Sequence, residues 1–260
     1  MAGADATLAG QAPALTINGA VATITLRRPQ LANRLELADL DTLLRQVAEV
    51  DGDGSVRVLR LQAEGRQFCS GFNVSQVGDG AGAAGERFEA LAEAIEDARP
   101  VTIAALQGGA YGGAVDLALA CDFRIGTPEV LAMVPAARLG LHFYRGGLER
   151  MVQRLGLGAA KRLLLAAETL DATGLLAIGW LDRIVDAAVL ADEVERFAQQ
   201  LAAMAPLSLL PMKRHLGAIA RGRLDAQALA DDIARALASD DLREGGRAWA
   251  ERRAPVFVGR

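Results

Sequence analysis

A change of hydrophobic period, repeated along the first two-thirds of the chain, constrains the fold most. Apolar residues alternate with polar ones over short runs, then recur every three to four residues over longer runs, then alternate again. Period two buries one face of a strand, and a period near 3.6 buries one stripe of a helix. Strand and helix in turn are the order of an α/β chain with a parallel component. Residues 14–26 predict a hairpin, with Leu15, Ile17, Val21, Ile24 and Leu26 as strand formers around an Asn18-Gly19 turn. Residues 36–50 predict a helix through Leu37, Leu40, Leu43, Leu44 and Val47. A strand is expected over 56–61, an amphipathic helix over 86–98 ended by Pro100, a buried strand over 101–106, an apolar helix over 114–120 and a strand over 122–125. From Arg145 onward the pattern is mostly helical, with one short strand near 183–185. The expected division is a core over residues 1–186 and a helical region over 187–260, of the kind that serves as an oligomerisation element or a lid.

Composition narrows the function classes. The chain has 260 residues, enough for a sizeable core, with 52% hydrophobic and 23% charged residues. Its net charge is −4, and no basic stretch resembles a nucleic-acid footprint, so no nucleic-acid partner is expected. The two cysteines, Cys69 and Cys121, form no CxxC pair, and the two histidines are too few for a histidine-based metal site. No metal and no separate cofactor are expected. No run of about 18 apolar residues is present, and residues 1–11 lack a basic and apolar leader pattern, so a cytoplasmic protein without a membrane partner is expected. A GxxxxGKS/T loop and a GxSxG elbow are absent. Cys69 with a distant histidine could imitate a thiol nucleophile; the reading preferred here is a small buried thiol beside a tight turn.

Two glycine-rich turns remain, each after a strand: Phe68-Cys69-Ser70-Gly71-Phe72-Asn73-Val74, and Gly108-Gly109-Ala110-Tyr111-Gly112-Gly113-Ala114-Val115-Asp116. Glycines there let backbone N–H groups approach a ligand closely. The second turn also opens a helix, whose free N–H groups and dipole favour a negative oxygen. Facing each other, the turns would form an oxyanion hole; otherwise they are tight connections only.

At these residues the sequence resembles the crotonase family, the enoyl-CoA hydratases and isomerases. The resemblance runs through Arg28-Pro29 with Asn33, then "FCSGFNV", "GGAYGGAVDLALACD", "PAARLGL", "GGLERMVQRLG", "AIGWLDRIV" and "SDDLREGGRAWAERRAPVF". It implies a ββα spiral core with a C-terminal helical oligomerisation region, assembled as a homotrimer or as a hexamer of two trimers. It also implies an acyl-CoA thioester as substrate, in the setting of fatty acid metabolism.

Carried over by position, the oxyanion donors are the backbone N–H groups of Phe72 and Gly113, with Asn73, Val74, Gly112 and Ala136 along the substrate. Fixed donors in a dry site stabilise a thioester enolate by roughly 3–4 kcal/mol each. Of the two family hydratase glutamates, the first position falls on Asp116, a candidate acid/base that also suits a helix start. The second falls on Ala136, which can neither donate nor accept a proton, and this puts hydratase activity in doubt. Pro-Ala here also resembles decarboxylases of branched acyl-CoA substrates that use a tyrosine slightly further on; the same count lands on Phe143, beside Tyr144. Arg138, His142, Tyr144 and Arg145 fall near the expected pocket and are read as surface or packing residues. In the terminal helix the family sets an aromatic and a base against a neighbouring subunit's coenzyme A, and these positions are Trp249 and Arg252. The expected activity is proton transfer by Asp116 beside an enolate. The alternatives are an acyl-CoA decarboxylase and a non-catalytic homologue that binds acyl-CoA or RNA.

Overall fold

A computed structural model describes residues 10–73 and 81–260, with the side chains of 81–84 left aside. The predicted hairpin forms as β1 (Gln11–Asn18) and β2 (Val21–Arg27), antiparallel, with Asn18 paired to Val21 across the turn. Gly19 takes φ +59°, the left-handed region that an Asn-Gly turn requires. Three helix-to-strand steps then build the sheet. α1 (Leu37–Gly52) leads to β3 (Val58–Ala63), α2 (Ala81–Asp97) to β4 (Val101–Leu106), and α3 (Gly113–Ala120) to β6 (Phe123–Gly126). The six-stranded sheet runs β1-β2-β3-β4-β6-β9, with β9 at Arg183–Ile184, and every pairing after β1–β2 is parallel.

Both faces of this sheet are covered. On one, Ile24, Leu59, Leu61, Ala104 and Leu106 pack with Leu40, Leu43 and Val47 of α1, Leu91 and Ile95 of α2, and Leu117 of α3. On the other, Val58, Val101, Ile103 and Ile125 pack against Leu190, Val194, Phe197 and Leu201 of a later helix, Leu190–Ala202. All six residues of β4 are therefore buried, which is why this strand reads as an unbroken apolar run.

A second, three-stranded sheet, in the order β5-β7-β8, was not anticipated. It joins β5 (Ala110–Tyr111), β7 (Leu131–Met133) and β8 (Leu170–Asp171). Strands of two or three residues carry too little period to be read, and long-range pairing alone makes them strands. The helix expected over 86–98 begins earlier, at Ala81, inside the glycine-rich passage. The remaining helices are α4 (Arg145–Leu164), bent at Gly156 where φ is +79°, α5 (Ala172–Ala177), α6 (Leu190–Ala202), α7 (Pro206–Ala220), α8 (Ala226–Leu237) and α9 (Asp240–Glu251). α6 belongs to the sheet's core, whereas α7 to α9 leave Met212, Leu216, Ile219, Ile233, Leu237 and Leu242 exposed. Of the apolar residues Leu207, Leu210 and Leu216 on α7, only Leu216 is fully on the surface. Among the described residues, no helix is long and apolar enough to cross a membrane.

Candidate active site

The two glycine-rich turns lie against each other. Phe68 and Cys69 donate their backbone N–H groups to the Gly109 carbonyl at 3.1 and 3.2 Å, and Tyr111 N–H returns a bond to Cys69 O at 3.0 Å. The turns approach tightly at Gly71, where φ is +86°. A Cβ there would lie 2.6 Å from Tyr111 O and 3.5 Å from Gly113 N. No other residue type allows that approach without moving one turn.

Hydrogen bonding leaves the Phe72 N–H facing away from Leu35, its bridge partner. Leu35 N–H donates to Gly71 O, and Asn73 N–H donates to Leu35 O, both at 2.9 Å. Those bonds use one edge of the turn, so the Phe72 N–H projects from the opposite edge. Gly113 opens α3, where first-turn N–H groups have no acceptor within the helix. Among the described residues, neither N–H has a hydrogen-bond acceptor. The first turn is held from behind: Asn33, buried at φ +52°, donates to the carbonyls of Glu64 and Gln67 at 2.8 Å and accepts from Arg28 N–H. Asn73 donates to both carboxylate oxygens of Glu36, at 3.1 and 2.9 Å. Val74 lies outside the described residues. Gly112 donates to Met133 O at 2.9 Å and so ties the second turn to β7. Ala136 opens the single-turn 3₁₀ helix Ala136–Leu139 just beyond that strand, half-buried and with no polar side-chain atom.

Asp116 sits in the first turn of α3 and is fully buried. Its Oδ2 accepts from Tyr144 Oη at 2.6 Å and from Arg150 Nη1 at 2.5 Å. Its Oδ1 has no hydrogen-bond partner among the described residues. Burial pushes the Asp116 carboxyl above its ordinary value, against the opposing charge of Arg150 and the Tyr144 hydrogen bond. Burial, reinforced by Asp116, likewise holds the Tyr144 phenol well above its usual range. Arg150 reaches a second carboxylate, with Nη2 at 3.1 Å from Glu96 Oε2. Glu96 also meets Arg154 at 3.0 Å and Arg221 at 3.3 Å. Burial alone would raise the Glu96 carboxyl; Arg150 first, then Arg154 and Arg221, bring it below its usual value.

Aromatic rings close the space around Asp116. Phe88 of α2 lies under Gly113 and has its ring centroid 6.0 Å from that of Tyr144, which stacks on Phe143 at 4.7 Å. Arg138 donates to Ala167 O, Arg145 pairs with Glu149 on the surface and His142 is exposed. Tyr144 differs from these three in pointing into the site. Arg150 and Glu96 were not singled out from the sequence. The available signal was helical spacing: Arg150 falls between Gly147 and Met151 on the buried stripe of α4. Cys69 is fully buried, and burial pushes its thiol up to about 12, which fits a packing role. Trp249 is 87% exposed on α9, and Arg252 caps that helix at φ +53°. Among the described residues, no hydrogen bond or ion pair joins either side chain to the two turns, and no cluster of three metal-ligating residues occurs.

Comparison with known proteins agrees with this architecture. The enoyl-CoA hydratase/isomerase family profile matches residues 16–260. The carnitinyl-CoA dehydratase of Proteus mirabilis is 32% identical over 259 residues, covering 95% of this chain and 98% of that protein. The short-chain-enoyl-CoA hydratase of Clostridium acetobutylicum is 28% identical over 209 residues, covering 78% and 79%. A crystal structure of an enoyl-CoA hydratase/carnithine racemase from Magnetospirillum magneticum superposes with a TM-score of 0.90 at 26% identity, covering 96% of each chain. With the profile spanning both turns, the Asp116 helix and the terminal helices, the chain belongs to the enoyl-CoA hydratase/isomerase family.

Proposed function

We propose that this protein binds an acyl-CoA with its thioester carbonyl between the N–H groups of Phe72 and Gly113, and that Asp116 moves a proton beside the resulting enolate. The observation that carries the reading is the contact between the two turns at Gly71, with both N–H groups lacking acceptors among the described residues. Removing a proton next to a thioester puts negative charge on the carbonyl oxygen, and oriented donors in a site closed to water stabilise that charge. Tyr144 and Arg150 hold Oδ2 of Asp116, while Oδ1 has no partner among the described residues. A buried carboxylate with a raised proton affinity suits taking a proton from one carbon and returning it to another, as in double-bond isomerisation. Hydration needs a second group to handle water, and Ala136 supplies none. In an assembled trimer or hexamer, Trp249 and Arg252 would meet a neighbouring subunit's coenzyme A by stacking and phosphate pairing.

The test compares wild type with Asp116→Asn and Ala136→Glu on crotonyl-CoA hydration and on deuterium exchange at the thioester α-carbon. Slow hydration, with exchange that falls about 10²–10⁴-fold in Asp116→Asn, is expected. Hydration by wild type at ordinary enzymatic rates refutes the reading of Ala136. One observation favours a second reading: Oδ2 of Asp116 is taken by Tyr144 and Arg150, and decarboxylation forms the enolate without a base. Release of CO₂ from a malonyl-type thioester with no Asp116 dependence would select it.

A further inference from the structure

Arg150 is shared. One guanidinium nitrogen sits on Asp116 at 2.5 Å and the other on Glu96 at 3.1 Å, with the Arg150 side chain 2% exposed. Glu96 in turn takes Arg154 at 3.0 Å and Arg221 at 3.3 Å, and Arg221 reaches Asp97 at 2.5 Å. An unbroken chain of ion pairs therefore runs from Asp116 on α3, through α4 and α2, to the C-terminal end of α7. We infer that Glu96 is a positioning residue for the reaction: by gripping the second nitrogen of Arg150, it fixes that guanidinium on Asp116 Oδ2, keeps Oδ1 free for the substrate, and sets how much of the arginine's charge Asp116 receives. The inference rests on Asp116 being the acid/base.

Three features support it. First, a guanidinium is planar, with its donors in a fixed fork, so two carboxylates on two nitrogens determine its orientation more firmly than one does. Second, Arg154 is anchored independently, through Nη1 to the carbonyls of Leu119 and Cys121 at the end of α3. The chain thus holds α2 and α4 to both ends of the Asp116 helix. Third, the charged neighbourhood of Asp116 is small. Tyr144 precedes the first turn of α4, α4 contributes Arg150, with Arg154 behind Glu96, α2 contributes Glu96, with Glu89 behind Tyr144, and β5 offers Tyr111, which rests against Gly109. In that setting the negative charge of Glu96 acts on Asp116 directly, raising its proton affinity, as well as through its hold on Arg150, while Arg221 acts on Glu96.

These relations give two substitutions with opposite signs. Glu96→Gln removes a negative charge and leaves Arg150 to Asp116 alone, so Asp116 holds its proton less tightly. Arg221→Gln removes a positive charge beyond Glu96, so Asp116 holds its proton more tightly. A base acts when deprotonated, and deuterium exchange therefore rises with pH as Asp116 ionises. The rise should move to lower pH in Glu96→Gln by about half a unit or more, and to higher pH by a smaller amount in Arg221→Gln. The measurement is the pH profile of α-proton exchange in wild type and both variants, with circular dichroism to show that each is folded. Shifts of opposite sign are the expected result, and loss of packing alone would not produce them. Unmoved profiles in folded variants, or two shifts of the same sign, overturn the inference while exchange still depends on Asp116. Exchange that survives Asp116→Asn overturns the base assignment, and this inference with it.

Discussion

Replacing Gly113 by alanine tests the geometry of the second turn directly. A Cβ at this position would lie 2.6 Å from Cζ and 2.7 Å from Cε1 of Phe88. Ordinary contact needs about 1 Å more than this, so the ring or the start of α3 must move. Phe88 has little room, being 3% exposed and packed beside Tyr144. Overpacking of this kind costs about 1–3 kcal/mol, while replacing a helical glycine recovers roughly 0.5–1 kcal/mol of backbone entropy. The net loss is about 1–2 kcal/mol, or a fall in Tm of about 2–8 °C for a chain of this size. Moving the helix start also displaces the Gly113 N–H, and if that group is the oxyanion donor of the proposed function, its loss costs up to about 10²–10³-fold in kcat. Thermal unfolding by circular dichroism and deuterium exchange on a thioester would be measured for Gly113→Ala, Phe88→Leu and the double variant. If the clash is the cause, the smaller side chain relieves it, and the double variant is more stable than the sum of the single losses by about 1 kcal/mol or more. Strict additivity would refute the packing argument, and a fully active, equally stable Gly113→Ala would refute the whole reasoning.

Four further outcomes are expected. Arg150→Met leaves Asp116 and Glu96 buried without their shared partner and should cost about 3–5 kcal/mol near neutral pH. Because the folded Asp116 value is raised above its ordinary 3.8, its contribution is most favourable below that value and declines as pH rises through the folded one, so the penalty should shrink in acid; urea unfolding at two pH values checks this, and a loss under about 1 kcal/mol contradicts it. Neither cysteine should react with a thiol reagent in the native state at pH 8, since burial pushes both thiols up to about 12; rapid labelling of folded protein would disprove this. Acetyl-, crotonyl- or a longer acyl-CoA at 100 times its Kd should stabilise the protein by about 2.7 kcal/mol, and a thermal-shift series flat at millimolar ligand would reject thioester binding. Light scattering should show a trimer or hexamer covering the exposed apolar residues of α7 to α9, and a monomer at micromolar concentration would oppose it.

What the sequence determined by itself was whatever depends on neighbours along the chain. The Asn18-Gly19 hairpin, the buried run 101–106 and the apolar helix after Gly113 are all short-range signals, and each forms where the pattern placed it. The crotonase-like fold and the family were likewise legible, because the motifs occur in a fixed order over nearly the whole chain. Tertiary structure alone decided the rest. The strands Ala110–Tyr111, Leu131–Met133 and Leu170–Asp171 exist only through pairing across tens of residues. The sequence made Asp116 a candidate acid/base but gave no sign that Tyr144, 28 residues on, and Arg150, 34 residues on, would bond to the same oxygen. Nor could it place Glu96 on the other arm of Arg150. Periodicity records which residues are buried, whereas a buried charge is defined by its partner, and the partner is chosen by how helices distant in sequence pack in space.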